Sequence, residues 1–298
     1  MQTWIFIIVV IVLIGLIATV TVIWRLSNSN SNSNNTNLKP EIYCIMVTGK
    51  DDCRENFAKQ SVDNFNSQDY PRKKLIILNH SPNYKVINAI HDNIHEFVID
   101  KEANKMTLGD LRNIGLAMVP PDAIWTTWDD DDFRAPNYLS VMQNEMAKHD
   151  AYVLTFTERI EFNANTGYVW QMIRKSGFAI LFAKQDMRIL YESLDTMEDT
   201  KMLDTARALG KKVHIYNNND PNMYIRTVHG NNTSLYAGKY KNKIEEKYQK
   251  ENTDIQGIQG IQGIQDYIER DIESEHANNV RGFMSTYYKK GIECYTNK

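Results

Sequence analysis

The chain has 298 residues and a formal net charge of −3, with 34 Lys and Arg against 37 Asp and Glu. That balance, with no basic patch interleaved with aromatics, argues against nucleic acid as a partner. Three cysteines, Cys44, Cys53 and Cys294, make no metal-ligand spacing and no disulfide framework, and their odd, low count favours a reducing compartment.

Beyond a three-residue end (1–3), the run from Trp4 to Trp24 carries no charge and is mostly Ile, Val and Leu. As a helix it would be about 31 Å long, the thickness of a bilayer's hydrocarbon core. A Trp at each end suits the membrane interface. No basic start or small-residue cleavage site marks a signal peptide, so residues 4–24 are expected to be an uncleaved single-span anchor. Arg25 just past the run places the main domain in the cytosol by positive-inside reasoning. One arginine leaves the side of the membrane open, and the sequons at Asn34, Asn231 and Asn232 matter only if the domain faces a lumen. Residues 25–39, rich in Ser and Asn, read as a flexible tether.

Roughly 260 residues remain, enough for one α/β domain with a C-terminal extension. We divide them into a domain at 40–238 and a helical extension at 239–298 that contains the Ile-Gln-Gly repeat from Ile255 to Gln265. In chain order the pattern predicts a strand over Glu41 to Thr48, a helix over Arg54 to Phe65 and a nearly all-apolar strand over Lys74 to Asn79. A short helix over Tyr84 to Ile90 and a short strand over Glu96 to Ile99 follow. Thr107 caps a helix to Met118 that Pro120-Pro121 stops. The apolar stretch Ala123 to Trp128 is the next strand, and Asn137 to Lys148 the next helix. Such alternation implies a mostly parallel sheet with helices on both faces.

After Ala151 the pattern becomes strands, at Tyr152 to Phe156, Tyr168 to Ile173 and Phe178 to Phe182. A helix over Glu198 to Leu209, capped by Asp195 or Thr196 and ended by Gly210, precedes a strand over Lys212 to Tyr216. In the extension, Asp266 to Glu275 and Ala277 to Lys290 read as helices.

The most informative segment is Trp128-Asp129-Asp130-Asp131-Asp132-Phe133. Four adjacent carboxylates repel one another unless a cation sits among them. They end a buried strand, and ligands of open α/β sheets bind at the carboxyl ends of strands. Oxygen ligands suit Mn2+ or Mg2+, which binds through carboxylates and substrate phosphates. A solvated acidic loop or a structural Ca2+ site is the alternative.

The chain resembles family 2 glycosyltransferases of the GT-A fold. The resemblance runs over roughly residues 40–235. It rests on the first strand ending at Thr48, Ser67-Gln68-Asp69-Tyr70-Pro71 before the second, Leu111-Arg112-Asn113-Ile114-Gly115 before the acidic strand, the DxD-like Asp run with Pro136, Tyr138 and Leu139, and Met197-Glu198-Asp199-Thr200 further on. It implies transfer of a sugar from a nucleotide-sugar donor, UDP-linked by preference, to a hydroxyl on a glycan, lipid or protein acceptor, with inversion. It further implies that Asp131 is the direct metal ligand, that Asp129 faces the ribose or a metal-bound water, that Asp132 supports them, and that Asp199 is the base with Glu198 orienting donor or acceptor. Charge favourable to a helix start is the competing account of Glu198-Asp199.

Thr48 lies where the nucleotide base would rest, and Arg112 and Asn113 are placed to reach ribose or phosphate. The family's acidic residue after the second strand is replaced by Asn79, which keeps an accepting amide oxygen but not its charge. Tyr224 to Ser234 resembles a segment that closes over the donor, with Arg226 as a phosphate clamp and His229 as a third metal ligand; a structural histidine is the alternative. Trp170 is a candidate platform for an acceptor sugar, or a core aromatic. Two other functions stay open: a sugar nucleotidyltransferase, for which the single glycine of Thr48-Gly49-Lys50-Asp51-Asp52 is a poor phosphate loop, and a carbohydrate-binding module that has lost catalysis.

Overall fold

The computed structural model describes residues 39–49, 51–99, 105–121, 123–229 and 267–296. The expected anchor, the expected tether up to residue 38, the Ile-Gln-Gly segment and residues 230–234 lie outside them. Among the described residues no helix is long and apolar enough to cross a membrane.

Strand β1 (Ile42–Thr48) sends Ile42, Cys44 and Met46 into one core and Tyr43 and Ile45 into another, on opposite faces of the sheet. That period of two makes β1 a central strand. It pairs in parallel with β2 (Lys73–Asn79) on one side and with β4 (Ile124–Thr127) on the other, and β3 (Ile94–Val98) extends the sheet beyond β2. Strands β6 (Val153–Phe156), β9 (Phe182–Lys184) and β10 (Val213–Tyr216) complete seven strands in the order β10-β6-β9-β4-β1-β2-β3, only β9 running antiparallel to its neighbours. Helices α1 (Arg54–Asn66), α2 (Leu108–Ala117), α3 (Tyr138–Lys148) and α4 (Glu198–Ala208) connect them.

A second sheet has the order β12-β8-β7-β11-β5, from β5 (Phe133–Arg134), β7 (Glu158–Asn163), β8 (Val169–Arg174), β11 (Tyr224–Val228) and β12 (Tyr267–Asp271). Helices α5 (Ser274–Tyr287) and α6 (Lys289–Thr296) follow. Ala277, Val280, Met284 and Tyr288 share one apolar cluster with Phe57, Ile160, Phe162 and Ile225. The C-terminal helices therefore cover α1 and the second sheet.

Several expectations are corrected. Tyr84 to Ile90 is not a helix. The Glu96 carboxylate captures the Val86 and Ile87 backbone N–H groups, and Asn79 donates to the Tyr84 carbonyl, so those groups are tied to β2 and β3 rather than to one another. Asp266 to Glu275, expected as helix, contains β12, because β8 offers it an antiparallel edge. β7 was not expected, and only the last residue of Phe178 to Phe182 is strand.

The cysteines are corrected as well. Cys53, just ahead of α1, is disulfide-bonded to Cys294 of α6, 241 residues away, and only Cys44 is free, buried in the core. Spacing could not disclose a bond closed by tertiary approach. It also removes the argument for a reducing compartment, since disulfides persist where conditions oxidise.

Candidate active site

β4 is fully buried and its ladder continues one residue further, the Trp128 N–H donating to the Ile45 carbonyl at 2.8 Å. The Asp run thus leaves the sheet beside the end of β1, at the carboxyl rim of the parallel strands. Arg134 fixes the turn that follows. Its guanidinium lies 4.2 Å from the Trp128 ring and 4.9 Å from that of Tyr224, and it donates to the backbone carbonyls of Thr127, Asp129 and Asp132. Those carbonyls would otherwise be buried beside four carboxylates.

The four acids have different surroundings. Asp130 accepts from the Thr48 hydroxyl at 2.7 Å and from Arg54 at 2.5 Å. Burial, aided by Asp131 and Asp129, pushes its carboxyl up to about 7 against the pull of Arg54 and Thr48. Asp131 accepts from the same Arg54 nitrogen at 2.8 Å and lies 2.9 Å from Nε2 of His229. Burial works to raise it, but Arg54, His229 and Arg226 hold it well below the usual carboxylate range. Asp132 accepts from the Thr227 N–H at 2.9 Å and from the Tyr224 hydroxyl at 2.5 Å, so it pins β11 to the acidic loop. Burial, with Asp131 and Asp129 alongside, pushes it up to about 7. Asp129 is the most open, its side chain 36% exposed, and it meets Arg112 at 3.0 Å.

Arg112 joins the two motifs. One guanidinium nitrogen reaches Asp129, and the other reaches Glu198 at 2.5 Å and also Asp199. The segment before α4 holds α2 in place to allow this. The Asn113 amide exchanges hydrogen bonds with the Tyr191 backbone, the Asp195 carboxylate accepts from the Leu108 N–H, and the Gly109 N–H donates to the Leu194 carbonyl at 3.0 Å. A Cβ at Gly109 would strike the Glu192 carbonyl oxygen. Asp195 therefore serves α2, not α4 as expected. The residue before α4 is Met197, in the left-handed region at φ +66° with no side-chain cap, a strained conformation next to the carboxylate pair. Burial, with Glu198 and Asp129 nearby, pushes Asp199 up to about 7 although Arg112 opposes it.

Three candidates are placed otherwise than expected. Asn79 is fully buried; its oxygen accepts from the Ser81 N–H and its nitrogen donates to Tyr84 and Glu96, so the oxygen is engaged inside the fold and not held out for a base. The Asn113 amide is occupied with the Tyr191 backbone and positions α2. Trp170 is 3% exposed in a strand flanked by β7 and β12, its ring stacked on Tyr168, and offers no face to an acceptor. Thr48 is buried and engaged with Asp130 and, at 3.2 Å, the Tyr84 hydroxyl. Arg226, 3.6 Å from Glu161, and His229 flank Asp131 from β11 and the residue after it.

Arg54 and Arg134 are site residues that reading the sequence missed. Their signal was a cation just past β1 and another directly after the Asp run, both at the rim that the acids occupy. For a divalent cation the donor set fits. Asp131 is held ionised, His229 lies beside it with its pKa lowered by burial, Asp129 is the most open of the four acids, and Arg54 already supplies positive charge between two of them.

No curated protein sequence matches this chain. Among solved structures, S. aureus TarS 1–349 in complex with UDP-GlcNAc superposes with a TM-score of 0.50 at 14% identity, over 65% of this chain and 60% of that one. PcManGT, a mannosyltransferase from Pyrobaculum calidifontis in complex with GDP-Man and Mn2+, gives 0.50 at 10% identity, over 94% of this chain and 83% of that one. The chain thus spans about 60% of the TarS 1–349 chain it matches. The family model of glycosyl transferase family 2 matches residues 45–209, more than half of the chain and both acidic motifs. On that match, and with the sheet order described, the chain belongs to glycosyl transferase family 2 and has the GT-A fold.

Proposed function

We propose that the chain transfers a sugar from a nucleoside-diphosphate donor to an acceptor hydroxyl, with inversion at the anomeric carbon and with Mn2+ or Mg2+ as cofactor. The observation that carries this reading is the Arg112 guanidinium, which draws Asp129 of the first motif and Glu198 and Asp199 of the second around one point. A leaving diphosphate and an attacking hydroxyl need to meet across such a distance.

Asp131, Asp129 and His229 would hold the cation. When bound, it supplies Lewis-acid stabilisation of the charge on the departing diphosphate. Arg226 and Arg54 add fixed positive charge beside Asp131. Asp199 takes the acceptor's proton, and a carboxyl raised to about 7 is matched to base catalysis near neutrality. Glu198, held by Arg112, orients the reacting groups. One base and one departing group give a single displacement, hence inversion.

The uridine preference loses its basis with Asn79, whose oxygen is engaged by Ser81. UDP- and GDP-sugars are therefore both candidate donors. The acceptor is a hydroxyl of a glycan, lipid or protein. Residues 4–24 serve as the membrane anchor, 25–39 as the tether, and 40–298 as the working part. The disulfide argues that this part faces an oxidising compartment.

The test is product formation, by mass spectrometry, from a panel of UDP- and GDP-sugars with and without Mn2+. Asp131→Asn and Asp199→Asn should both sharply reduce turnover. Sugar binding with no turnover in the unaltered chain would instead identify a carbohydrate-binding module. Consumption of a nucleoside triphosphate and a sugar phosphate would identify a nucleotidyltransferase.

A further inference from the structure

Helix α3 and strand β10 bring together three metal-ligating side chains that the transfer reaction does not use. Glu145 and His149 stand four residues apart, at the end of α3, and so share one face of the helix. His214 is the second residue of β10. Glu145 Oε2 lies 3.4 Å from His149 Nε2, and the His149 and His214 rings stack 3.8 Å apart at 15°. One ligand atom from each residue lies within 4.8 Å of the other two, and all three side chains are half-buried.

The cluster is remote from the acidic site. β10 is parallel to β6, β6 is antiparallel to β9, and β9 is antiparallel to β4. β10 and β4 therefore point the same way. His214 is near the start of its strand, whereas the Asp run follows the end of β4. The two groups occupy opposite rims of the sheet.

We infer that Glu145, His149 and His214 form a second metal site, selective for Zn2+ or a similar imidazole-seeking divalent ion. Two imidazoles and one carboxylate are a borderline-soft donor set, unlike the oxygen-rich acidic run. Ligand atoms of a tetrahedral zinc site lie about 3.3 Å apart, given bonds of about 2.0–2.1 Å, and Glu145 and His149 already stand near that spacing. A His214 nitrogen lies within 4.8 Å of the other two ligand atoms, and turning the stacked rings edge-on would aim it at the same point. The carboxyl end of α3 adds the negative pole of the helix dipole, which favours a cation. Lys148, 3.4 Å from the other Glu145 oxygen, is largely exposed and is free to swing away.

Three protein ligands leave one coordination position for water. The consequence for the fold is a staple. β10 is the outermost strand of its sheet, and metal would pin it to α3.

The full chain, purified in detergent, stripped with chelator and titrated with Zn2+ in the absence of nucleotide, tests this. Zinc content after desalting should include one equivalent that survives Asp131→Asn and disappears in His149→Ala and in His214→Ala. Zn2+ affinity at that site should fall at least tenfold in Glu145→Gln. Co2+ should give the strong visible absorption of a four-coordinate centre in the unaltered chain but not in the histidine variants. His149→Gln, which keeps much of the ring's bulk, serves where an alanine variant does not fold. Equal zinc in the unaltered chain and in every folded histidine variant would overturn the inference. So would the absence of any equivalent that survives Asp131→Asn.

Discussion

The ring of Phe57 lies against the imidazole of His229, their centroids 5.4 Å apart. Behind it, 5.1 Å away, is Tyr288, which lies between the two C-terminal helices. Gly291 packs so close to the same ring that a Cβ there would strike its edge. The C-terminal segment thus backs, through Phe57, the histidine that touches Asp131, although it is distant in sequence.

That arrangement predicts a split between two substitutions. Phe57→Ala should cost about 3–5 kcal/mol, the usual range for emptying an aromatic site. Phe57→Leu keeps apolar bulk, should cost under about 1.5 kcal/mol, and should still weaken Mn2+ binding because His229 loses its flat support. Denaturant unfolding and metal titration of the two variants check this. Unchanged Mn2+ affinity in the leucine variant would show that the stack is packing alone.

The Cys53–Cys294 bond closes a loop of 241 residues. Disulfides of this kind contribute about 2–4 kcal/mol. Each kcal/mol shifts the melting temperature of a domain this size by about 2–4 °C. Cys294→Ser should therefore melt roughly 4–16 °C below the oxidised parent, and reduction of the parent should close most of the gap. Calorimetry with and without reductant is the measurement.

Arg54 offsets two buried carboxylates, Asp130 and Asp131. Arg54→Met removes the guanidinium that the two share, and breaking a buried pair costs about 3–5 kcal/mol. A divalent cation can replace the lost charge. The metal-free variant should be less stable than the parent, and Mn2+ should raise its melting temperature by more than it raises the parent's. An equal rise in both proteins would mean that Arg54 and the metal do not share the same carboxylates.

Asp199 must be ionised to accept a proton. With its carboxyl raised to about 7, kcat/KM for transfer should climb as pH rises through about 7 and level off above it. Arg112 opposes that rise, so Arg112→Met should move the climb to higher pH as well as lower the rate. Asp199→Asn should reduce kcat by about 10²–10⁴-fold, the range for losing a general base. A pH–rate profile for each variant decides the matter. A profile that does not move in Arg112→Met would detach Asp199 from the chemistry.

Much of the site was legible from adjacency. The Asp run follows a four-residue apolar strand, and Glu198-Asp199 opens a helix, so each motif was visible within a short window of sequence. The Thr107 cap was equally local and forms as expected, and the structure adds the reciprocal bond to the Asp110 carboxylate that completes a capping box. Asn79 and Trp170 were misjudged because their chemistry is generic. An amide oxygen suits a nucleobase or the Ser81 N–H equally well, and an indole suits a sugar or a core. Arg54 escaped notice because its partners are more than seventy residues away.

The sequence by itself determined the alternation of strands and helices, the acidic motifs and their order, because these depend on side-chain periodicity and on neighbours along the chain. Tertiary structure alone decided which charges face one another: Arg54 between Asp130 and Asp131, Arg112 among Asp129, Glu198 and Asp199, and Cys53 against Cys294. Those pairings come from the convergence of parallel strands at one rim and from the return of the C-terminal helices over α1. Burial then sets how strongly each charge is felt, and a lone sequence carries no record of it.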